Sequence, residues 1–260
     1  MQSNLDTLWF SQASLSAWLT CPLKFKYRYI DGLYWPMAAG SEAGQHIEQG
    51  RKFHLLAQYY FGSGNTQAPD DEPLLRQWLQ RLAEFLPLTG ARQFLPEYEL
   101  RSVRDGIRLL AKFDLLACDE RAITVYDWKT DAKPPAPALA GAVQTRVYLY
   151  LLSQAGHFAR RPEDLQMVYW NPRFPDQPLA VGYSREKQQA DWAWLRELIA
   201  QIRSASAFPA TSDEMNCRHC EYRPVCHGQS LEEAAPNGLD WEEVNWDEIE
   251  EIALQGVNMP

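Results

Sequence analysis

The sequence predicts an α/β fold, with helices packed on a mixed sheet. Three observations carry this prediction: helical periodicity over the first third of the chain, an alternation of period two after Pro96, and alternating helix and strand patterns from Leu139 onward. Hydrophobic residues make up 46% of the 260 residues and aromatic residues 12%, which is enough to fill a core of this kind. No internal repeat is visible, so we expect one core domain with additions.

The first third of the chain predicts three helices. The first runs from Ser14 to Ile30, with Ser14 as its N-cap, and ends near Asp31-Gly32. A second helix covers Ser41 to Phe61, where a Gly- and Ser-rich stretch ends it. A third helix covers Leu74 to Leu86.

Three strands follow Pro96, at residues 98–103, 107–117 and 123–128. Short turns separate them, Arg104-Asp105-Gly106 and then a turn near Asp119-Glu120. Because such short turns join antiparallel neighbours, we expect a three-stranded antiparallel meander.

The second half of the core alternates between helix and strand. A helix is predicted at Leu139 to Gln154, strands at Leu165 to Trp170 and Leu179 to Tyr183, and a long helix from Arg185 to about Ser204. The order helix, three strands, helix, strand is the basis of the α/β prediction.

Charge is distributed unevenly along the chain. The net charge of −9 disfavours a nucleic-acid partner at first sight, because phosphate binding depends on Lys and Arg. Nine acidic residues and no basic ones lie between Gln229 and Pro260, so the rest of the chain has no net charge. Lys24, Lys26 and Arg28 alternate with aromatic residues, a pattern that suits phosphate contacts and base stacking or, equally, a solvated amphipathic helix.

Cellular location and cysteine use are linked. No apolar run approaches the roughly 20 residues that cross a bilayer, and the first residues lack the order of a secretory signal. We therefore expect a soluble, cytoplasmic protein with no membrane partner. Five cysteines in a reducing compartment favour metal or cluster ligation over disulfides.

Two carboxylates and a lysine form the most informative motif. Asp114 lies in one predicted strand, and Asp127-Trp128-Lys129 lies at the end of the next. Converging carboxylates repel each other unless a cation lies between them, and hard oxygen ligands suit Mg²⁺ or Mn²⁺. Lys129, two residues beyond Asp127, lies on the same strand face and could orient an attacking water or stabilise a phosphorane.

Two helical motifs flank these strands. Gly50-x-x-x-His54 places an imidazole on the second helix, where it could be a further metal ligand. Two alternatives are a purely structural role for His54 and metal binding by His46 instead. Gln144 and Tyr148 are four residues apart on a later helix and share one face. They could point together at the lysine or at a DNA backbone, or belong to an ordinary amphipathic helix.

Four of the five cysteines form a second motif, with Cys217-x₂-Cys220-x₅-Cys226 near one end and Cys21 far upstream. Four thiolates can hold tetrahedral zinc or an iron–sulfur cluster, and spacing alone does not decide between them. An alternative is a buried Cys21 with a zinc knuckle completed by His219 or His227. Cys118 is interpreted as a small apolar core residue.

The ordered set G-x-x-x-H, strand Asp, D-x-K, Q-x-x-x-Y and C…C-x₂-C-x₅-C resembles the RecB-like branch of the PD-(D/E)XK nucleases. It is most similar to the CRISPR-associated iron–sulfur exonucleases and to the nuclease domain of the AddB helicase–nuclease subunit. The resemblance extends from Cys21 to Cys226. It implies a restriction-endonuclease-like core, a central mixed sheet flanked by helices, with a Cys-ligated iron–sulfur module that joins the N- and C-terminal segments.

The resemblance also implies domain limits and residue roles. The expected parts are an N-terminal helical segment at 1–40, a nuclease core at 41–207, an iron–sulfur module at 208–228 and an acidic tail at 229–260. The implied roles are metal contacts from His54, Asp114 and Asp127, catalytic or supporting roles for Asp114, Asp127, Lys129, Gln144 and Tyr148, and [4Fe–4S] ligation by Cys21, Cys217, Cys220 and Cys226.

The expected function is a Mg²⁺- or Mn²⁺-dependent DNA exonuclease that acts mainly on single-stranded DNA, in CRISPR adaptation or in DNA repair and recombination. CRISPR integration proteins or a helicase are the implied partners. One alternative is an inactive iron–sulfur subunit that binds DNA or assembles other proteins. Another is a zinc-stapled interaction protein whose D-x-K is accidental.

Overall fold

The computed structural model describes residues 5–33, 42–89, 92–158, 160–218 and 220–228. Its elements are β1 (Trp9–Phe10), α1 (Gln12–Thr20), α2 (Pro22–Phe25), a π-helical turn (Lys26–Ile30), α3 (Glu42–Ser63), α4 (Pro73–Phe85), β2 (Gln93–Arg104), β3 (Ile107–Cys118), β4 (Ile123–Trp128), a 3₁₀ turn (Pro137–Gly141), α5 (Val143–Gln154), two further 3₁₀ turns (Gly156–Phe158 and Pro162–Asp164), β5 (Leu165–Trp170), β6 (Leu179–Gly182), α6 (Arg185–Ser204), α7 (Glu214–Arg218) and α8 (Arg223–His227).

Among the described residues, six strands form one mixed sheet built around the long strand β3. One edge of β3 pairs with antiparallel β2 from Ile107 to Cys118, except at Asp114. The other edge pairs with antiparallel β4 at Leu115–Cys118 and with parallel β1 at Arg108–Leu109. β4 then pairs with parallel β5, and β5 with antiparallel β6. The predicted meander and the α/β fold with a mixed sheet are confirmed; β1 was not predicted.

Helices cover both faces of the sheet. On one face α1, α5 and α6 enclose a large apolar cluster that includes Phe113 and Tyr169. On the other face α3 and α4 enclose a second cluster that includes Trp128 and Trp170. Successive residues of β4 and β5 therefore contribute to opposite clusters, as the alternation of side chains along a strand requires.

The first helix begins earlier than the sequence pattern suggests. Ser11, not Ser14, is the N-cap: its side chain accepts a hydrogen bond from the Ser14 amide, while the Ser14 hydroxyl accepts one from the Ser11 amide. This reciprocal pair is a capping box, with serine in the place where glutamate or glutamine is usual. The prediction of Ser14 as the N-cap is wrong because both serines satisfy the cap preference and only their packing separates them.

The predicted single helix from Ser14 to Ile30 is also interrupted. Cys21 has an extended backbone, with φ −161° and ψ 111°, between α1 and α2. A residue that precedes proline is disfavoured in the helical region because the proline ring clashes with it, and Pro22 therefore ends α1 at Thr20. None of the described helices is both long and apolar enough to span a membrane.

Candidate active site and cysteine region

The candidate site forms where β4 separates from β3. Asp114 lies in β3 just before the paired segment that begins at Leu115. One of its carboxylate oxygens, Oδ2, accepts a hydrogen bond from the backbone amide of Trp128 at 2.8 Å. The carboxylate thus links β3 to the end of β4 and directs its second oxygen toward helix α3.

His54 of α3 completes this junction. Its Nδ1 atom lies 3.4 Å from Oδ1 of Asp114, and its Nε2 atom lies 2.9 Å from the carbonyl oxygen of Trp128. Helix α3 approaches the sheet closely at Gly50, where a Cβ atom would lie 3.1 Å from Oγ1 of Thr130. A glycine one turn before the histidine therefore allows the helix to bring His54 to Asp114. His46 is exposed and is not part of this group.

Glu97 is a site residue that the sequence reasoning missed. It lies on β2 opposite Asp114 in the register, at the one position where the β2–β3 ladder is interrupted, and its φ of 51° is uncommon for a residue with a side chain. Potential ligand atoms of His54, Glu97 and Asp114 all lie within 4.8 Å of one another, a spacing that fits a divalent cation. The strand predicted from the sequence begins at Tyr98. A strand that began one residue earlier would have included Glu97 and placed it across from Asp114.

The environment of these carboxylates is strongly polar. Burial raises the pKa of Glu97, as does the neighbouring charge of Asp114, while an ion pair with Lys112 opposes the increase. Burial also acts to raise the pKa of Asp114, but His54, the Trp128 amide and Lys129 together hold it below its ordinary value. Asp114 is therefore ionised at neutral pH and suited to a cation.

Asp127, Lys129 and Gln144 form a second, connected group. Nζ of Lys129 lies 2.8 Å from Oδ1 of Asp127 and donates a hydrogen bond to Oε1 of Gln144 at 3.2 Å. Nε2 of Gln144 donates to Oδ2 of Asp127 at 2.6 Å. All three side chains are buried, with relative exposures of 3% for Asp127, 7% for Lys129 and 6% for Gln144. The three-residue ligand group described above contains Glu97 and not Asp127.

Tyr169 on β5 supports this group and was not predicted. It is the in-register neighbour of Asp127, and the ammonium of Lys129 lies 5.4 Å from the centre of its ring. Its hydroxyl lies 2.7 Å from Oγ1 of Thr145, which also contacts the carbonyl oxygen of Leu139. The parallel pairing of β4 and β5 therefore supplies an aromatic surface beside the buried lysine.

Tyr148 contacts a different part of the site from Gln144. Its hydroxyl donates a hydrogen bond to the carbonyl oxygen of Lys112 at 2.8 Å, and its ring packs edge-on against Phe113. This carbonyl lies in the stretch of β3 between the segments that pair with β1 and β4. Gln144 contacts Lys129, whereas the Tyr148 phenol donates to the backbone of β3. That the amide and the phenol point together at the lysine or at a DNA backbone stays a prediction.

The cysteine region brings the two ends of the chain together. The amide of Thr211 donates a hydrogen bond to Sγ of Cys21 at 3.4 Å, and the amide of Leu23 donates to the carbonyl oxygen of Pro209 at 3.2 Å. The hydroxyl of Tyr222 donates to the carbonyl oxygen of Leu33 at 2.5 Å. The fold thus brings the junction of α1 and α2, where Cys21 lies, next to the segment that carries the other three cysteines.

The thiols of this region influence one another. Burial raises the pKa of Cys226, and the neighbouring Cys21 and Cys217 raise it further. Burial, followed by the charge of Glu221, raises the pKa of Cys220 to about 12. Thiolates in such surroundings need a compensating positive charge, which a metal or cluster would supply. In the described part of the chain, no three of the sulfur atoms lie within 4.8 Å of one another.

Cys118, His219, the acidic tail and the basic stretch around Lys24 complete the comparison with the sequence predictions. Cys118 is partly buried at the end of β3 against the larger apolar cluster, which agrees with its interpretation as a core residue. His219 and the acidic tail at 229–260 lie outside the described residues.

Lys24 and Arg28 both pair with Glu221, and Arg28 is only 4% exposed. The interpretation of this basic stretch as a nucleic-acid contact is therefore wrong for Arg28.

A solved structure with a TM-score above 0.5 shows the same fold. A candidate exonuclease from Eubacterium rectale superposes with a TM-score of 0.52 at 11% sequence identity, over 98% of this chain and 95% of that chain. A second structure, SSO0001, has a TM-score of 0.42 at 16% identity, over 85% of this chain and 87% of that chain. No curated protein matches the chain.

A family model matches most of the chain. The model describes the PD-(D/E)XK nuclease superfamily, whose members use divalent metals, and it matches residues 9–227. The matched range contains the Asp114–His54 junction, the Asp127–Lys129–Gln144 group and the cysteine region. This chain therefore belongs to the PD-(D/E)XK nuclease superfamily.

Proposed function

We propose that the protein is a divalent-metal-dependent DNA exonuclease that acts mainly on single strands. The observation that carries this proposal is the convergence of His54, Glu97 and Asp114 within ligand distance, next to a buried D-x-K pair. Two carboxylates and an imidazole that converge in this way suit Mg²⁺ or Mn²⁺. Membership of a nuclease superfamily makes a phosphodiester the fitting substrate.

The residues have distinct proposed roles. His54, Glu97 and Asp114 would hold the cation. Asp127 is proposed as a further metal contact because the family motif implies it. A bound divalent cation supplies an acidified water and polarises a phosphoryl oxygen. Lys129 orients the attacking water or stabilises the charge of the phosphorane, and Gln144 holds the ammonium and the Asp127 carboxylate in register.

The pathway is proposed from likeness. The similar structure is designated a candidate exonuclease, and the motif order resembles CRISPR-associated exonucleases. We propose a role in processing DNA ends, either before integration into a CRISPR array or in repair and recombination. CRISPR integration proteins or a helicase are the corresponding partners.

The cysteine region is proposed to hold a [4Fe–4S] cluster through Cys21, Cys217, Cys220 and Cys226, with zinc as the alternative occupant. The packing of Cys21 beside Thr211 supports a role in joining the two ends of the chain. Anaerobically purified protein is expected to be brown, to contain iron and sulfide, and to bleach in air. Colourless protein with stoichiometric zinc would replace the cluster with a zinc site.

The nuclease proposal is tested with end-labelled single- and double-stranded DNA in Mg²⁺ or Mn²⁺. The parent protein is expected to degrade linear single strands and to spare circular ones. Asp114→Asn and Lys129→Ala are expected to lose activity by a factor of about 100 or more, because each removes a charge that acts at the reacting phosphate.

A matched control is Asp105→Asn in the β2–β3 turn, where φ is 49° and asparagine is tolerated. This variant is expected to retain activity. Cleavage of circular single strands would indicate an endonuclease instead. DNA binding without any cleavage by the parent protein would favour the non-catalytic assembly subunit.

A further inference from the structure

We propose that one face of the β2–β3 hairpin binds the phosphodiester backbone of a DNA strand that extends from the cleavage site. The surface, called here the cationic strip, consists of Lys112, Arg101, Arg108 and Trp9. This inference rests on the proposed nuclease function and adds to it the path of the substrate.

The alternation of β3 places the strip in line with the site. Lys112 and Arg108 lie two and six residues before Asp114, on the face opposite the buried residues Ile107, Leu109 and Ala111. At a rise of about 3.3 Å per residue, Arg108 lies roughly 20 Å from Asp114 along the strand. The strip therefore extends from the candidate cation site over a length that a DNA strand can follow.

Trp9 joins the far end of the strip. It pairs with Arg108 in the register between β1 and β3. The guanidinium of Arg108 lies 5.7 Å from the centre of the Trp9 ring, and that of Arg101, reaching from β2, lies 5.3 Å from it. One indole thus holds two planar guanidiniums side by side, and a planar fork of donors suits a phosphate.

The three cationic side chains of the strip differ in how far they are free of a neighbouring carboxylate and so able to bind a phosphate. Arg108 is half-buried, and no carboxylate of the described chain lies within 4 Å of its guanidinium, whereas Arg101 pairs with Glu99 at 2.6 Å. Lys112 pairs with Glu97, which belongs to the candidate cation group. A bound dication would compensate the charge of Glu97 and leave Lys112 available to a phosphate next to the scissile one.

The occupant follows from chemistry and continuity. Three cations along one strand face suit an extended polyanion rather than an apolar partner. The strip begins at the residues that would hold the reacting phosphate, so the same strand can occupy both. A strand bound in this way places its neighbouring phosphates on Lys112 and then on the Arg101–Arg108 pair.

Binding of a long single strand, with Ca²⁺ in place of the catalytic metal, tests this surface as a function of salt. Arg108→Gln is expected to weaken binding about fivefold to tenfold and to reduce the slope of log K against log salt by about 0.7, the contribution of one phosphate on a single strand. Arg108→Lys is expected to retain the slope. Glu99→Gln removes the carboxylate that pairs with Arg101 and is expected to strengthen DNA binding. A partly unfolded variant would bind DNA more weakly, so an increase in affinity cannot result from loss of folding.

Arg196→Gln provides the matched control, because this exposed arginine lies on α6, across the sheet from the strip. The proposal is overturned if Arg108→Gln and Arg196→Gln have the same affinity and salt slope. If the parent protein cleaves DNA but the strip variants leave the salt slope unchanged, the strip is overturned and the nuclease proposal is retained. If the parent protein neither binds nor cleaves DNA, the proposed function is overturned as well. If it binds DNA with the expected salt slopes but does not cleave it, the strip is retained and the nuclease proposal is overturned.

Discussion

Gln144 connects the two charged members of the D-x-K motif. A side-chain amide has a donor and an acceptor, and here Nε2 donates to Asp127 while Oε1 accepts from Lys129. No single charged side chain can satisfy a carboxylate and an ammonium in this way. Asp127 and Lys129 also contact each other directly at 2.8 Å, so the amide fixes the orientation of both members of an ion pair, as positioning in an active site requires.

Gln144→Leu is expected to lower kcat by about 100-fold, because a displacement of about 1 Å at a reacting group has an effect of that size. The free energy of unfolding is expected to fall by only about 1–3 kcal/mol, the range for one lost partner of a buried polar group, since Asp127 and Lys129 still pair. Nuclease rates and thermal unfolding measure the two effects. The exposed Gln189→Leu on α6 serves as control, and an unchanged rate in Gln144→Leu would remove the positioning role.

Asp119 shows a local effect of the backbone on a carboxylate. The amides of Ala122 and Arg121 both donate to its Oδ1 atom at 2.8 Å in the β3–β4 turn. These two hydrogen bonds, the one from Ala122 first, lower the pKa of Asp119. A lowered pKa means that the ionised form stabilises the folded state above the unfolded pKa and that this stabilisation is lost as pH falls through the folded value.

Asp119→Asn is therefore expected to reduce the free energy of unfolding at neutral pH, by less than about 1 kcal/mol because more than a third of the side chain is exposed to solvent. The difference from the parent protein is expected to persist above about pH 5 and to shrink below about pH 4. Urea unfolding across this pH range measures it. A difference that stays constant down to low pH would show that the charge is not its source.

At the scale of the element, helix α1 carries the first cysteine to its place. The capping box at Ser11 and Ser14 fixes where the helix begins, and Pro22 fixes where it ends. α1 also packs against α5, the helix that bears Gln144. The position of Cys21 thus depends on both ends of a nine-residue helix.

Ser11→Ala is expected to lower the free energy of unfolding by about 1 kcal/mol, because it removes the acceptor for the Ser14 amide. Ser16→Ala, within the same helix, is expected to change it by less than about 0.5 kcal/mol because alanine is the better helix former. Chemical denaturation gives both values. Equal effects of the two substitutions would show that the cap does not determine the stability of α1.

At the scale of the whole molecule, a buried ion cluster joins the two ends of the described chain. Glu221 lies 3.4 Å from Nζ of Lys24 and 3.5 Å from NH1 of Arg28, and the Arg28 side chain is 4% exposed. Because Glu221 directly follows Cys220, this cluster helps to hold the cysteine segment against the N-terminal helices.

Glu221→Gln is expected to lower the free energy of unfolding by about 3 kcal/mol, since the charge of Arg28 stays buried without its carboxylate. Glu214→Gln, an exposed change on α7, is expected to have little effect. Thermal unfolding compares them. A loss in Glu221→Gln no larger than that in Glu214→Gln would show that Arg28 finds another partner or reaches solvent.

Much of the fold and part of the site follow from pattern alone. The meander, the limits of β4 and β5 and the helix α6 agree with periodicity, because long amphipathic segments express their structure locally. The convergence of His54 with Asp114 agrees with the motif order. The π-helical turn after Phe25 and the short strand β1 have no comparable local signal, and both depend on packing.

The α/β order of elements, the family motifs and the placement of Asp127 and Lys129 on one strand face follow from the amino-acid sequence, because each depends on spacing within a single segment. Three contacts follow only from the packed chain: Glu97 faces Asp114, Tyr169 lies beside Lys129 and Tyr148 contacts β3. These contacts join residues on different elements. Register, sheet order and the approach of helices set them, and those quantities depend on the packing of the whole chain.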